Sequence, residues 1–216
     1  MPATSFAVLS RLVPNWSVVR KRIKSVIRTT HRRMLDEKVK EILKGQQYGH
    51  ILDIGGKGPD YMPAVVAEGY QCMDIVNRPG VDIVADIHHW KAPDSADLIL
   101  LLEVLEHLYD PVLALKNVKS TLRPGGKLVV SAPFLYPFHA DPFDYYRYTD
   151  VGLEHLLKEF DDIRVYRLGS RWTVASMLVE STRLGPLVSA VVGPFLSRLA
   201  SRGPAFTGVV AECRRL

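Results

Sequence analysis

Cysteine is scarce, with only Cys72 and Cys213 present, and each lies inside an apolar, strand-like run. With so few thiols and no compact apolar leader ahead of them, a disulfide scaffold is excluded and a reducing cytoplasm is the expected setting. No Cys/His set has the spacing of a structural zinc site, and the seven histidines are mostly scattered, so no metal is expected. Long hydrophobic runs are also lacking. In the apolar stretch from Thr173 to Ala200, Glu180, Arg183 and Arg198 intervene and Pro186 and Pro194 break the pattern. Its longest uncharged run, Leu184 to Ser197, is too short to cross a bilayer. Internal repeats and low-complexity tracts are absent as well, which excludes solenoids and arrays.

What remains is an ordinary globular composition, 47% hydrophobic and 24% charged over 216 residues, suited to one domain with a real core. The net charge of +5 is unevenly placed. Arg20, Lys21, Arg22, Lys24, Arg28, Arg32 and Arg33 crowd one stretch, with Val19, Ile23, Val26, Ile27 and Met34 near helical spacing. Residues 1–45 therefore read as a basic amphipathic arm. Such a helix either rests on an anionic surface, as a peripheral membrane contact, or packs as a solvated helix across one edge of the domain. The domain proper is expected over residues 46–216, with an apolar helical insertion at about 173–200 that serves as core packing, lid or membrane-skimming face.

From His50 onward short apolar runs alternate with segments of helical length. Strands are expected at His50 to Ile54, Tyr70 to Ile75, Asp82 to Ala85, Asp97 to Glu103, Lys127 to Ala132, Ile163 to Leu168 and Phe206 to Cys213. Helices are expected around Met62 to Glu68, Pro111 to Leu122 and Val151 to Phe160. Alternating βα units imply an α/β fold, a Rossmann-like, mostly parallel seven-stranded sheet with helices on both faces. Ligands of such sheets bind beyond the carboxyl ends of the strands.

The sharpest local pattern is ILDIGGKGPDYMP, an apolar strand ending in Asp53 that runs into Gly55, Gly56 and Gly58. Glycines there let the backbone approach a ligand and take positive φ, and a following helix would offer its amides to a charged ligand end. A dinucleotide fingerprint needs Gly at the third and sixth positions, where Lys57 and Asp60 stand, so NAD is disfavoured. Asp74 closes the second strand, where a carboxylate accepts from ribose hydroxyls; Asp86 closes the third, where it accepts from an adenine amine. Glu103 closes the fourth in LILLLEVLEHL, and LRPGGKLVVSAPF supplies a helix end, a turn and a fifth strand.

The region from about His50 to Phe160 resembles the class I methyltransferases that use S-adenosylmethionine (SAM). LDIGGKG is similar to that family's first motif, MDI to its acidic second, ADIHHW to its adenine loop, EVLEHL to its fourth-strand motif and LRPGGKLVVSAP to its fifth. The resemblance implies SAM as cofactor, with Asp53, Gly55, Gly56 and Gly58 at its methionine end and Asp74 with Ile75 at the ribose. It places Asp86 and Ile87 at the adenine, and Glu103 and Val104 beside the transferred methyl. The family commonly has Gly where Lys57 stands. PFLYPFHADPFDYYRYT further resembles a bacterial subgroup linked with cell-envelope glycan biosynthesis, which implies a glycan-type or other small-molecule acceptor.

Independently of that likeness, the loop after the fifth strand is dense in Phe134, Tyr136, His139, Asp141, Tyr145, Tyr146, Arg147 and Tyr148. Loops over strand ends carry binding groups, and aromatic faces stack on sugars or planar rings. Tyr136, Tyr145 and Arg147 are the expected acceptor contacts. Transfer to a hydroxyl requires alignment and removal of a proton; His139 is the expected base, Asp141 its orienting partner and His107 the competing base. A non-catalytic SAM or nucleotide-binding module is the alternative. A nucleic-acid methyltransferase is less favoured, because the Asn-Pro-Pro-aromatic motif of base-amine enzymes is replaced by Glu103-Val104-Leu105-Glu106.

Overall fold

The computed structural model describes residues 29–56, 65–140, 142–180, 191 and 204–216. One seven-stranded sheet organises the molecule, with spatial order β3-β2-β1-β4-β5-β7-β6. Its strands are β1 (Gln46–Ile54), β2 (Val65–Asp74), β3 (Ile83–Val84), β4 (Ala96–Leu102), β5 (Leu122–Pro133), β6 (Asp161–Leu168) and β7 (Gly208–Arg214). β1 to β5 pair in parallel, while β7 runs antiparallel between β5 and β6. This is the expected mostly parallel α/β sheet. The chain winds outward from β1 to β3, then returns to the other side of β1 as β4, and that reversal opens a crevice at the carboxyl ends of the strands.

Among the described residues four helices flank the sheet: α1 (Thr30–Leu43), α2 (Pro111–Thr121), α3 (Asp150–Leu156) and α4 (Arg171–Glu180). Each of the first three begins with a side chain that satisfies an otherwise orphaned amide. Thr29, Asp110 and Thr149 accept from the N–H groups of Arg32, Leu113 and Gly152 respectively. Pro111 fits the first turn of α2, where a missing N–H costs nothing. Strand periodicity divides the core into two layers. Ile51, Leu98, Leu100 and Val129 face Leu35, Val39 and Leu43 of α1. Leu52, Ile99, Leu101, Leu128 and Val130 face Ala114, Leu115 and Val118 of α2, Leu153 of α3 and Leu157 just after it.

One sequence expectation changes here. The helix expected over Met62 to Glu68 does not form in its described part: residues 65–68 belong to β2, with Val65 opposite Gln46 and Ala67 opposite Tyr48. β-Branched Val65 and Val66 gain a strand partner that local periodicity does not reveal. The described part of the arm includes α1, whose Leu35, Val39, Ile42 and Leu43 pack on the sheet. The basic residues from Arg20 to Arg28 lie outside the described residues, as does most of the insertion beyond Glu180. Among the described residues, no helix is long and apolar enough to cross a membrane.

β5 and β7 are also joined by charge. Lys127 Nζ meets Glu212 Oε2 at 2.8 Å, and the Tyr166 hydroxyl donates to Glu212 Oε1 at 2.8 Å, all with little exposure of the ion pair. Burial works against the Glu212 carboxylate, but Lys127 and Tyr166 outweigh it and hold its carboxyl below the ordinary value. A depressed carboxyl contributes stability above its unfolded-state value and loses it as pH falls through the folded one. Lys127→Met is therefore expected to cost about 3 kcal/mol at neutral pH, because it leaves Glu212 buried without its cation. Chemical denaturation should show that deficit shrinking as pH falls below the usual glutamate range, and Lys127→Met/Glu212→Gln should recover much of it.

Candidate active site

The ends of β1 to β4 frame a cavity of about 310 Å³. Asp53, Gly55 and Gly56 reach it from β1; Asp74, Ile75 and Arg78 from β2; Asp86 and Ile87 from beyond β3; and Glu103 and Val104 from β4. His107 and His139 close one side and Arg32 of α1 also enters the wall. Every described residue expected at a cofactor site from sequence thus lies on one cavity. Gly58 and Asp141 fall outside the described residues. Tyr136, Tyr145 and Arg147 are not among the lining residues.

The glycine turn is shaped by what lies behind it. Gly55 has φ of +72°, and a Cβ there would meet Val104 Cγ2 at 2.5 Å. A Cβ on Gly56 would overlap the Asp53 carboxylate itself. Asp53 is buried and takes the Tyr70 hydroxyl on Oδ2 at 2.6 Å. That donation, together with burial, drives the phenol of Tyr70 far above its ordinary range. The Asp53 side chain supports the turn as much as it lines the cavity.

Asp74 Oδ1 accepts from the Val76 N–H at 2.8 Å, and Oδ2 pairs with the Arg78 guanidinium. Arg78 also donates to the Gly56 carbonyl at 3.2 Å, linking the β2 carboxylate to the β1 turn. Asp86 Oδ1 accepts from the His88 amide at 2.9 Å and meets its ring Nδ1 at 2.6 Å. Desolvation opposes the Asp86 carboxylate, but the two contacts with His88 prevail and lower its pKa. Asn117 of α2 donates to the carbonyls of Ile87 and His88 at 2.8 and 2.9 Å and so holds this loop against the core.

Glu103 adopts a left-handed backbone with φ of +56° at the end of β4. Ser131 Oγ donates to its Oε1 at 2.8 Å, and His31 Nε2 meets its Oε2 at 3.1 Å. Burial disfavours the carboxylate, yet His31, Ser131 and Arg32 together hold its pKa down. Three residues on, Glu106 has the opposite environment. It is fully buried in the turn Leu105–His107, and both its oxygens lack a hydrogen-bond partner among the described residues. Burial pushes its carboxyl up, with Glu103 adding to the effect against the opposing influence of His139.

His107 and His139 converge on that carboxylate. Their Nε2 atoms lie 3.5 and 3.6 Å from Glu106 Oε1. Glu106 raises the imidazole pKa of His139 above its ordinary value, burial opposing it. Asp144, on the same loop, accepts the His139 amide at 3.0 Å, and Arg147 holds its carboxyl down at about 2. Arg147 donates to the Asp144 carboxylate and to the Tyr146 carbonyl. Tyr136 packs its ring on His31 and His139 with centroids 5.1 and 5.3 Å away, while Tyr145 is half exposed outside the cavity. His31, Arg32, Arg78, Glu106 and Asn117 were not among the sequence candidates. Arg32 was legible only as part of a charge run, and Glu106 only as the second acid of EVLEHL.

Residues 25–167, more than half of the chain, match a family described as a methyltransferase domain. Over 76 residues the chain is 30% identical to the ubiquinone biosynthesis O-methyltransferase of Aeromonas salmonicida; the match covers 35% of this chain and 29% of that protein. The chain therefore spans under a third of that curated relative. The fold is similar to phosphoethanolamine N-methyltransferase 2 of Haemonchus contortus in complex with S-adenosyl-L-methionine, with a TM-score of 0.57 at 15% identity over 85% of this chain and 52% of that one. It is equally similar to the N-methyltransferase NodS of Bradyrhizobium japonicum in complex with S-adenosyl-L-homocysteine (SAH), with a TM-score of 0.57 at 13% identity over 93% of this chain and 97% of that one. A doubly wound sheet with its glycine turn and acidic strand ends, matched over most of its core to one family, makes this chain a member of the methyltransferase domain family.

Proposed function

We propose that the protein transfers a methyl group from SAM to a hydroxyl of a small-molecule or glycan-type acceptor. The observation that carries this reading is the convergence of Asp53, Asp74, Asp86 and Glu103 on one cavity behind a glycine turn with no room for a Cβ. Asp74 is the acceptor for ribose hydroxyls, Asp86 with Ile87 receives the adenine, and Gly55 and Gly56 give the methionine end close access to backbone. Arg78 fixes Asp74, and Arg32 offers a cation to the same cavity. SAM supplies a methyl made electrophilic by its sulfonium, so the protein's work is alignment and proton removal. His139, with His107 beside it, lies where a proton leaving an acceptor would be taken. Asp144, which accepts the His139 amide, is a further group able to orient His139. The exposed rings of Phe138, Phe143, Tyr145 and Tyr146 beyond the cavity suit stacking on a sugar or planar acceptor. The hydroxyl preference is also that of the curated O-methyltransferase relative.

Calorimetry with SAH should give a one-to-one complex. Asp74→Ala removes charge-assisted hydrogen bonds worth about 1.5–3 kcal/mol each, so affinity should fall at least about tenfold. Gly56→Ala should abolish binding by displacing Asp53 from behind the turn, and unchanged affinity in both variants would overturn the cofactor assignment.

Turnover is tested with a panel of phenolic and sugar hydroxyl acceptors. His139→Ala is expected to lower kcat by about 10²–10⁴-fold while SAH affinity stays near the parent value. Full turnover in that variant would remove His139 from the reaction, and SAH binding without turnover on any acceptor would favour a non-catalytic module.

A further inference from the structure

Glu106 poses a problem of charge and hydrogen bonding that its neighbours do not solve. Its side chain is completely buried and neither oxygen has a hydrogen-bond partner among the described residues. The nitrogens nearest to it are turned to it without a proton to offer in their neutral forms. His107 Nδ1 lies 2.5 Å from the Phe143 carbonyl, which can only accept, so the ring proton sits there and Nε2 presents a lone pair. His139 Nδ1 lies 3.3 Å from the Pro137 carbonyl and 3.5 Å from Asp144 Oδ2, which places its proton on that side as well. Three electron-pair donors thus gather within 4.8 Å of one another.

We propose that Glu106 Oε1, His107 Nε2 and His139 Nε2 form a binding site for a first-row divalent transition cation whose free coordination face opens on the cavity. The three donor atoms lie within 4.8 Å of one another. Two ligands about 2.1 Å from a common ion at the tetrahedral angle stand about 3.4 Å apart. The 3.5 and 3.6 Å separations from Glu106 Oε1 to the two imidazoles match that spacing. Carbonyl and carboxylate acceptors on the far nitrogens are the outer shell that fixes a ligating imidazole. Here Phe143 serves His107, while Pro137 and Asp144 serve His139, and Arg147 holds Asp144 in turn. Two imidazoles and one carboxylate favour zinc-like ions over magnesium, which prefers an oxygen shell.

His107 and His139 also line the cavity that Glu103 and Val104 line, so an ion held by them would lie at its wall. An acceptor carrying an oxygen donor, such as a catechol or a sugar diol, could be held there. This use of the ion rests on the proposed methyl transfer, with the cation rather than His139 easing loss of the acceptor proton when it is bound, because a coordinated Nε2 cannot also take a proton; the binding of the ion does not rest on it. The proposed site differs from the metal-free expectation drawn from sequence, where His139 is 32 residues from His107 and no spacing rule joins them.

The test uses the full chain stripped with chelator and titrated with Co²⁺ and Zn²⁺. The expected results are visible Co²⁺ absorption of a low-coordinate site and one Zn²⁺ per chain by calorimetry, with Mg²⁺ binding far more weakly. Glu106→Gln and His139→Gln should each weaken Zn²⁺ binding at least about tenfold. His139 lies on a partly exposed loop, so His139→Gln keeps the test valid should Glu106→Gln fail to fold. Absence of Co²⁺ absorption, or equal Zn²⁺ affinity in the parent and His139→Gln proteins, overturns the site. SAH calorimetry on the stripped protein separates the two readings: bound SAH with no ion defeats only the cation site, and ion without SAH defeats only the methyl-transfer reading.

Discussion

The His31 ring spans the gap between Thr207 Oγ1, at 2.9 Å from Nδ1, and Glu103 Oε2, at 3.1 Å from Nε2, while Ser131 Oγ holds the other Glu103 oxygen. This chain of contacts ties α1, β4, β5 and the approach to β7 at the one edge where ligands of a doubly wound sheet bind. Glu103 carries it in a left-handed conformation, which costs about 1–3 kcal/mol for a residue with a side chain. The conformation persists because the partners fix the carboxylate from both sides. Without that fixation the β4 end would not present Glu103 and Val104 beside the glycine turn, and Arg32 would have no reason to reach the cavity.

Glu103 and Glu106 show how three residues of separation can produce opposite chemistry. The first has a histidine, a serine and an arginine near it and stays easily ionised. The second is sealed in a tight turn, repelled by the first and without a hydrogen-bond donor among the described residues, so its negative charge is costly unless a proton or a cation accompanies it. Paired carboxylates driven apart in this way commonly take distinct parts at a site. Glu103 lines the cavity, and Glu106 lies beside the histidine pair that closes one side of it.

The aromatic loop links these two sides. Tyr136 contacts both His31 and His139, so the helix that stabilises Glu103 and the loop that presents His139 to the cavity share a ring. The Tyr145 amide donates to the Glu106 carbonyl at 2.8 Å, which pins the same loop to the buried turn. Arg147 draws Asp144 against His139 instead of projecting outward. A loop that looked from composition like a surface for acceptors is thus partly a brace for the histidines.

By itself the sequence determined the strand ends. Apolar runs closing in Asp53, Asp74 and Glu103, each followed by turn chemistry, specify parallel strands whose final residues share an edge, because parallel pairing aligns carboxyl ends whatever the intervening loops contain. It could not show that β2 begins at Val65 or β1 at Gln46, since these polar-flanked extensions acquire strand character only by pairing with each other. Nor could it show that the basic segment ends in a helix delivering His31 to Glu103 across 72 positions, or that His107 and His139 meet at Glu106. Local pattern carries information over one or two turns of chain, whereas these contacts arise where elements distant in order are packed against one another; only the tertiary structure decided them.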